Sequence, residues 1–199
     1  MNLVFATHNQ HKLQEAQSKL LQSAPFVALV SLDTLGFTED IPETGDTLQE
    51  NALQKAQAVY NRYGIPCFSD DTGLEIEALG GAPGVYSARF AGEHCSFEDN
   101  MCKVLQLLDG QTNRKACFKT VIALIVSTTT HYFFEGHIEG TIHTERKGIE
   151  GFGYDPIFVP CDDIQTFAEM PLSEKNKRSH RALALDKLIQ FLKDNEAKL

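Results

Sequence analysis

Apolar positions along this chain recur in two rhythms, one of strands and one of helices. "NLVFA" (2–6) and "FVALVSL" (26–32) are short runs of the buried-strand type, while "NQHKLQEAQSKLLQS" (9–23) places Leu13, Ala16, Leu20 and Leu21 on one helical face. A longer helix is predicted over "TLQENALQKAQAVYNRYG" (47–64), its apolar face built from Leu48, Ala52, Ala56, Val59, Tyr60 and Tyr63. Thr47 and Glu50 make a T-x-x-E capping box at its start, and Gly64 is its stop. "IPCFS" (65–69) reads as a strand that ends at Asp70 and Asp71. In "LEIEAL" (74–79), Leu74, Ile76 and Ala78 alternate with Glu75 and Glu77, the period-two signature of a second, half-buried strand.

Further along, "SFEDNMCKVLQLLDG" (96–110) is a helix with Ser96 as N-cap and Gly110 beyond its end. "ACFKTVIALIVS" and "HYFFEGHIEGTI", separated by three threonines, read as an antiparallel strand pair. A loop containing "GIEGFGYDPIFVP" (148–160) leads to one last helix around "SEKNKRSHRALALDKLIQFLKDN" (173–195), with Leu185, Leu188, Ile189 and Leu192 inward. Helices and strands that mix in this way, with antiparallel strands in the middle, point to an α/β protein with a mixed sheet rather than a doubly wound parallel one. The patterns GxGxxG and GxxxxGK[ST] are both absent, so a nucleotide would be bound by other means.

Composition narrows this reading. The 199 residues hold no Pro/Gly/Ser linker and no repeat, so residues 1–199 are read as a single domain, with room for two lobes. The longest strongly apolar run, "VIALIV" (121–126), falls far short of the roughly 20 residues that span a bilayer. "MNLVFA" carries neither a charged leader nor a cleavage site, and the expectation is a cytoplasmic protein without a membrane partner. Five cysteines (67, 95, 102, 117, 161) without a CxxC pair fit neither a disulfide framework nor a zinc ribbon. A net charge of −9 argues against nucleic acid as a partner but leaves room for a small anion met by a local cluster of positive charge.

Six stretches could carry chemistry. "ATHNQHK" (6–12) lies where a strand passes into a helix, and a helix N-terminus with Asn9 and Lys12 favours anions; equally, Thr7 or Asn9 simply caps the helix. Asp70 and Asp71 of "SDDTG" can hold a hard cation such as Mg²⁺ or orient a water, or they can belong to an Asx-type turn. Successive residues of an extended chain point to opposite faces, so the two carboxylates are expected to do different jobs. Glu50 is accounted for by its capping box; Glu43, just ahead of that helix, has no such structural duty and is a second candidate metal ligand. "GGAPGVYSARFAG" (80–92) is either a loop of the site offering Ser87 and Arg89 or a plain structural turn. In "GFGYDP" (151–156), Phe152 and Tyr154 either stack on a base or pack in the core. "EKNKRSHR" (174–181) is a basic island, read either as a solvated helix face or, at His180 and Arg181, as a helix start turned toward a ligand.

Taken in order, "THNQHK", "PETG" with "ENALQKA", "SDDTGLEIEALGGAPGVYSARFAG", "GFGYDPIF" and "FAEMPLSEKNKRSHRALAL" resemble the inosine triphosphate pyrophosphatase family over nearly the whole chain. The resemblance implies an elongated mixed β-sheet flanked by helices, with two lobes and a substrate cleft between them. It implies homodimers that use Mg²⁺ to split ITP, dITP and XTP into the monophosphate and pyrophosphate. Carried over, it makes Asp71 the catalytic carboxylate and a metal ligand, with Glu43 as the other metal position. Thr7, His8, Asn9, Gln10, His11 and Lys12 would hold the triphosphate, and Thr72 would touch substrate. Phe152, Gly153, Tyr154, Asp155, Lys175, His180 and Arg181 would enclose the nucleoside. Many relatives read "EETG" where this chain has "PETG"; if the first glutamate is the ligand in those relatives, Pro42 cannot replace it. A Maf-type nucleotide pyrophosphatase and a non-catalytic nucleotide sensor are the competing readings. Two acids near a triphosphate weigh against a sensor unless a metal is present.

Overall fold

A computed structural model describes residues 1–196. The chain runs β1 (Asn2–Phe5), α1 (Gln10–Ser23), β2 (Ala28–Ser31), α2 (Leu48–Tyr63), β3 (Cys67–Ile76), β4 (Pro83–Gly84), α3 (Phe97–Leu107), β5 (Lys115–Ser127), β6 (Thr130–Ile142), β7 (Phe158–Pro160), α4 (Leu172–Arg178) and α5 (His180–Asp194). Strands pair in the order β2-β1-β3-β5-β6-β7, with β4 on β3. β1 runs parallel to β2 and β3, whereas β3/β4 and β6/β7 are antiparallel, so the sheet is mixed as expected.

Two compact units divide the chain. The first comprises Met1–Asp71, Thr120–Gly136 and the stretch from Arg181 onward. Strand alternation sorts its core into two clusters. Leu3, Phe5, Phe68, Ile122 and Leu124 pack with Ala16 and Leu20 of α1 and with Leu185, Leu188, Ile189 and Leu192 of α5. On the opposite face, Val4, Cys67, Ala123 and Ile125 pack with Ala52, Ala56 and Val59 of α2. The capping box of Thr47 and Glu50 and the left-handed Gly64 delimit α2 as the sequence predicts. The second unit comprises Thr72–Lys119 and His137–His180, with Leu74, Ile76, Met101, Val104, Phe118, Ile142, Ile157, Phe158 and Phe167 at its centre. Ser96 caps α3 in a capping box with Asp99.

Three local expectations need correction. β3 is one unbroken ten-residue strand, and Asp70 and Asp71 lie inside it rather than at an end. The final helix is two: Ser179 takes up extended backbone and separates α4 from α5, so His180 and Arg181 open a helix of their own. Leu21 does not join the inner face of α1 and is 73% exposed, because Ala16 and Leu20 already turn that face onto the sheet.

Candidate functional site

The alternation of β3 places its polar residues. Asp70 shares a face with Phe68, the face covered by α1 and α5, and Asp71 shares a face with Cys67, the face covered by α2. Asp70, 2% exposed, meets the Lys12 ammonium of α1 at 3.1 Å and accepts a hydrogen bond from Nε of Arg181 in α5 at 3.0 Å. Arg181 also donates to Glu15 at 2.7 Å. Burial alone would raise the Asp70 pKa, but the nearby charges of Lys12, Arg181 and Lys55 outweigh it and hold the carboxyl well below the usual range. Burial in turn lowers the Lys12 pKa against the pull of Asp70, while Arg181 ends above its ordinary value despite burial, held by Asp70 and Glu15. A carboxylate can therefore sit inside a strand here: cations from both covering helices compensate it.

Asp71 has different surroundings. Its Oδ1 accepts from Lys55 Nζ at 3.0 Å and its Oδ2 from the Asn51 amide at 3.2 Å. Lys55 also donates to Glu43, so two carboxylates share one ammonium. Burial raises the Asp71 pKa, Lys55 opposes this and Glu43 adds to it, for a net upward shift. The Lys55 ammonium is stabilised above its usual pKa by Asp71 and Glu43 in spite of burial. The loop bearing Glu43 is fastened to α2: Gly45 N–H donates to Asn51 Oδ1 at 2.8 Å, and Thr44 N–H donates to Gln54 at 3.0 Å. A Cβ on Gly45 would lie 2.6 Å from that of Glu50, so glycine permits the close approach. Glu50 itself caps, as predicted.

In "THNQHK" the capping reading holds for Asn9, whose side chain accepts from the N–H groups of His11 and Lys12. Thr7 accepts from Asn9 N–H. His8 bonds the Glu39 carbonyl and Gln10 bonds Asp33. His11 is exposed. Within this stretch only Lys12 reaches the aspartate pair among the contacts described.

In the second unit, Asp155 accepts from Phe152 N–H at 2.8 Å and from Lys175 Nζ at 2.6 Å. That ammonium lies 5.0 Å from the centre of the Phe152 ring. Gly151 adopts φ +75°, and a Cβ there would collide with the Asp155 carboxylate. The glycine-rich frame thus brings backbone, acid and aromatic ring together. Tyr154 is buried in the core and donates to the Ser87 carbonyl at 2.8 Å, while burial raises its pKa. Ser87 accepts from Leu74 N–H and donates to Gly84, so the turn reading of the "GVYSAR" loop holds at that residue. His180 is buried, its ring stacked on Phe118 at 4.5 Å. Gly153 and Thr72 are half-buried. The basic island divides: Lys175, His180 and Arg181 are buried, while Lys177 is exposed and paired with Glu174.

Glu15, Asn51 and Lys55 were not among the predicted residues. The signal for the last two is present in the sequence: both lie on the buried stripe of α2 beside Ala52 and Ala56, where polar side chains require partners. Glu15 likewise adjoins Ala16 on the inner face of α1.

Comparison with known proteins places these residues in a wider setting. The profile of the Ham1 family matches residues 3–191. A relative from Porphyromonas gingivalis named dITP/XTP pyrophosphatase is 56% identical over 191 residues, covering 96% of each chain. The Ham1 protein of Staphylococcus aureus superposes with a TM-score of 0.87 at 35% identity, covering 98% of this chain and 100% of its own. A HAM1 protein from Coxiella burnetii gives 0.88 at 37% identity, covering 98% and 99%.

Proposed function

The chain belongs to the Ham1 family, and from that premise we propose that it hydrolyses dITP, XTP and ITP to the nucleoside monophosphate and pyrophosphate. The observation that carries the reading is 56% identity, over 96% of both chains, with a protein named dITP/XTP pyrophosphatase. The charged cluster supports it by separating two roles that adjacent aspartates could otherwise share. Asp70 is compensated by two cations and holds its proton too weakly to act as a base. Asp71, with its pKa raised, is the better proton acceptor. A water oxygen attacks Pα, its proton passes to an Asp71 oxygen, and the Pα–O bond to the β-phosphate breaks to release pyrophosphate. Lys12 provides positive charge for the triphosphate and Asn51 orients Asp71. Lys175 is a hydrogen-bond donor suited to the 6-oxo group of hypoxanthine and xanthine, where adenine presents a donor instead. Phe152 provides the stacking face for the base.

Mg²⁺ fits the acidic pair. Asp71 and Glu43 converge on one ammonium, and Mg²⁺ is commonly held by one or two carboxylates together with substrate phosphates. Among the described residues no group of three or more His, Cys, Asp or Glu is arranged to hold a metal ion, so the two carboxylates would rely on other ligands. Glu43 shares the Lys55 ammonium with Asp71, which supports it as the second carboxylate. When bound, Mg²⁺ would neutralise phosphate oxygens during the transfer. The same reading makes the enzyme a cytoplasmic homodimer guarding the nucleotide pool; no described helix is long and apolar enough to cross a membrane.

A nucleotide panel with Mg²⁺ or EDTA, scored separately for pyrophosphate and orthophosphate, tests the proposal. Mg²⁺-dependent pyrophosphate from dITP, XTP and ITP, with little from ATP, is expected. Orthophosphate as the first product would overturn it. Sedimentation at micromolar concentration tests the dimer.

A further inference from the structure

Phe97 is the first residue of α3 and 45% exposed, whereas Met101 and Val104 of the same helix turn into the core. Its ring lies against Phe152, with centroids 6.1 Å apart and planes inclined by 47°, within the range of aromatic pairs. The next residue, Glu98, pairs with Arg146 at 2.7 Å. The first turn of α3 therefore meets the 146–152 segment through two consecutive side chains, one aromatic and one ionic. Phe152 is anchored at its backbone by Asp155 and flanked by the Lys175 ammonium. Those contacts fix where the ring begins and what lies beside it. The Phe97 ring adds an apolar neighbour that favours one ring orientation over others. Phe97 stands outside the hydrophobic core of its unit, and its ring meets that of Phe152 instead.

We infer that Phe97 is a positioning residue for base recognition: its ring holds that of Phe152 in the orientation that stacks on the substrate's planar heteroaromatic base. The inference rests on the pyrophosphatase reading. It assigns Phe97 to the base and gives it no part in handling phosphate. Loss of the aromatic pair is expected to weaken base binding about 2- to 10-fold.

The test uses the full-length protein with Mg²⁺. Phe97→Ala is expected to raise KM for dITP within that range with kcat changed less than about twofold, while inhibition by inorganic tripolyphosphate, which has no base, stays at the wild-type level. Phe97→Tyr restores the wild-type KM. Phe97→Leu, which keeps apolar cover but lacks a ring, behaves like Phe97→Ala and also serves if the alanine variant does not fold. Unchanged KM, parallel weakening of tripolyphosphate inhibition, or equal rescue by leucine and tyrosine would overturn the inference. Calorimetry with dIMP reads the same comparison without turnover. If the wild-type protein released no pyrophosphate from dITP, the activity proposed above would fail, and dIMP binding would still judge Phe97.

Discussion

On one side of β3, Asp70 meets the ammonium of Lys12 and the guanidinium of Arg181; on the other, Asp71 shares the ammonium of Lys55 with Glu43. The two residues are neighbours in sequence, both are buried, and both have the same side chain. Their partners differ because the strand's alternation hands one to α1 and α5 and the other to α2. The first face balances Asp70 and Glu15 with two cations, Lys12 and Arg181, and is structurally settled. The second has more acid than base, which suits a proton acceptor or a cation ligand. Chemistry thus follows from which helix covers which face, not from the aspartate itself.

The largest expected effect separates the two residues by activity. Asp71→Asn should lower pyrophosphate release from dITP by about 100- to 10,000-fold, as for loss of a general base, while the melting temperature stays near that of wild type. Near-normal turnover in a folded variant would move the chemistry away from Asp71. Asp70→Asn should show the converse weighting. It leaves Lys12 and Arg181 buried with a partner that no longer carries charge, a change expected to cost about 3 kcal/mol of stability by denaturant titration. If Asp70→Asn were as stable as wild type, compensation on that face would be less important than the geometry implies.

The dependence of stability on pH sharpens the same contrast, because the two shifts have opposite signs. The folded pKa of Asp70 lies below the unfolded value of about 3.9, so its contribution is present above that pH and is lost as pH falls toward the folded pKa. Asp71 is shifted upward, so the folded state binds its proton more tightly than the unfolded chain does. Its charge then costs stability as pH rises from about 3.9 through the folded pKa. Unfolding free energies measured across acid pH should show a shallower loss below about pH 4 in Asp70→Asn, and a smaller decline above it in Asp71→Asn. Slopes unchanged in both variants would break the comparison.

Much of this was legible beforehand, for identifiable reasons. The capping boxes at Thr47 and Ser96, the stop at Gly64 and the inward leucines of α5 are local signals, and local structure obeys them. The opposite directions of Asp70 and Asp71 followed from strand geometry alone. Their position inside β3 did not, because a pair of acids reads as a strand's end unless the cations that compensate them are visible. Those cations come from residues 12, 55 and 181, far away in sequence. The break at Ser179 was half legible: a helix start at His180 and Arg181 was one reading of the basic island, but the apolar and basic pattern on either side is also compatible with one continuous helix. Asn51 and Lys55 were detectable as polar residues on a buried stripe, yet a periodicity search that collects apolar positions passes over them.

The smallest expected effect bears on how α2 is held against Asp71. Ser69 lies on the same face of β3, is fully buried, and donates a hydrogen bond to the carbonyl of Ala52 in α2. That bond ties strand to helix one turn from Lys55 and beside Asn51, both of which donate to Asp71. Ser69→Ala removes a donor without stranding one, and a carbonyl that loses one of two acceptor contacts suffers little. The expected cost is about 1 kcal/mol in denaturant titration. If α2 then shifts against the strand, the consequence falls on Asp71 and kcat drops, while the acid limb of stability set by Asp70 stays as in wild type. A drop in kcat together with an unchanged acid limb would show that the two faces of β3 can be perturbed separately. An altered acid limb would show instead that α2 also governs the surroundings of Asp70, and the division of labour across the strand would have to be given up.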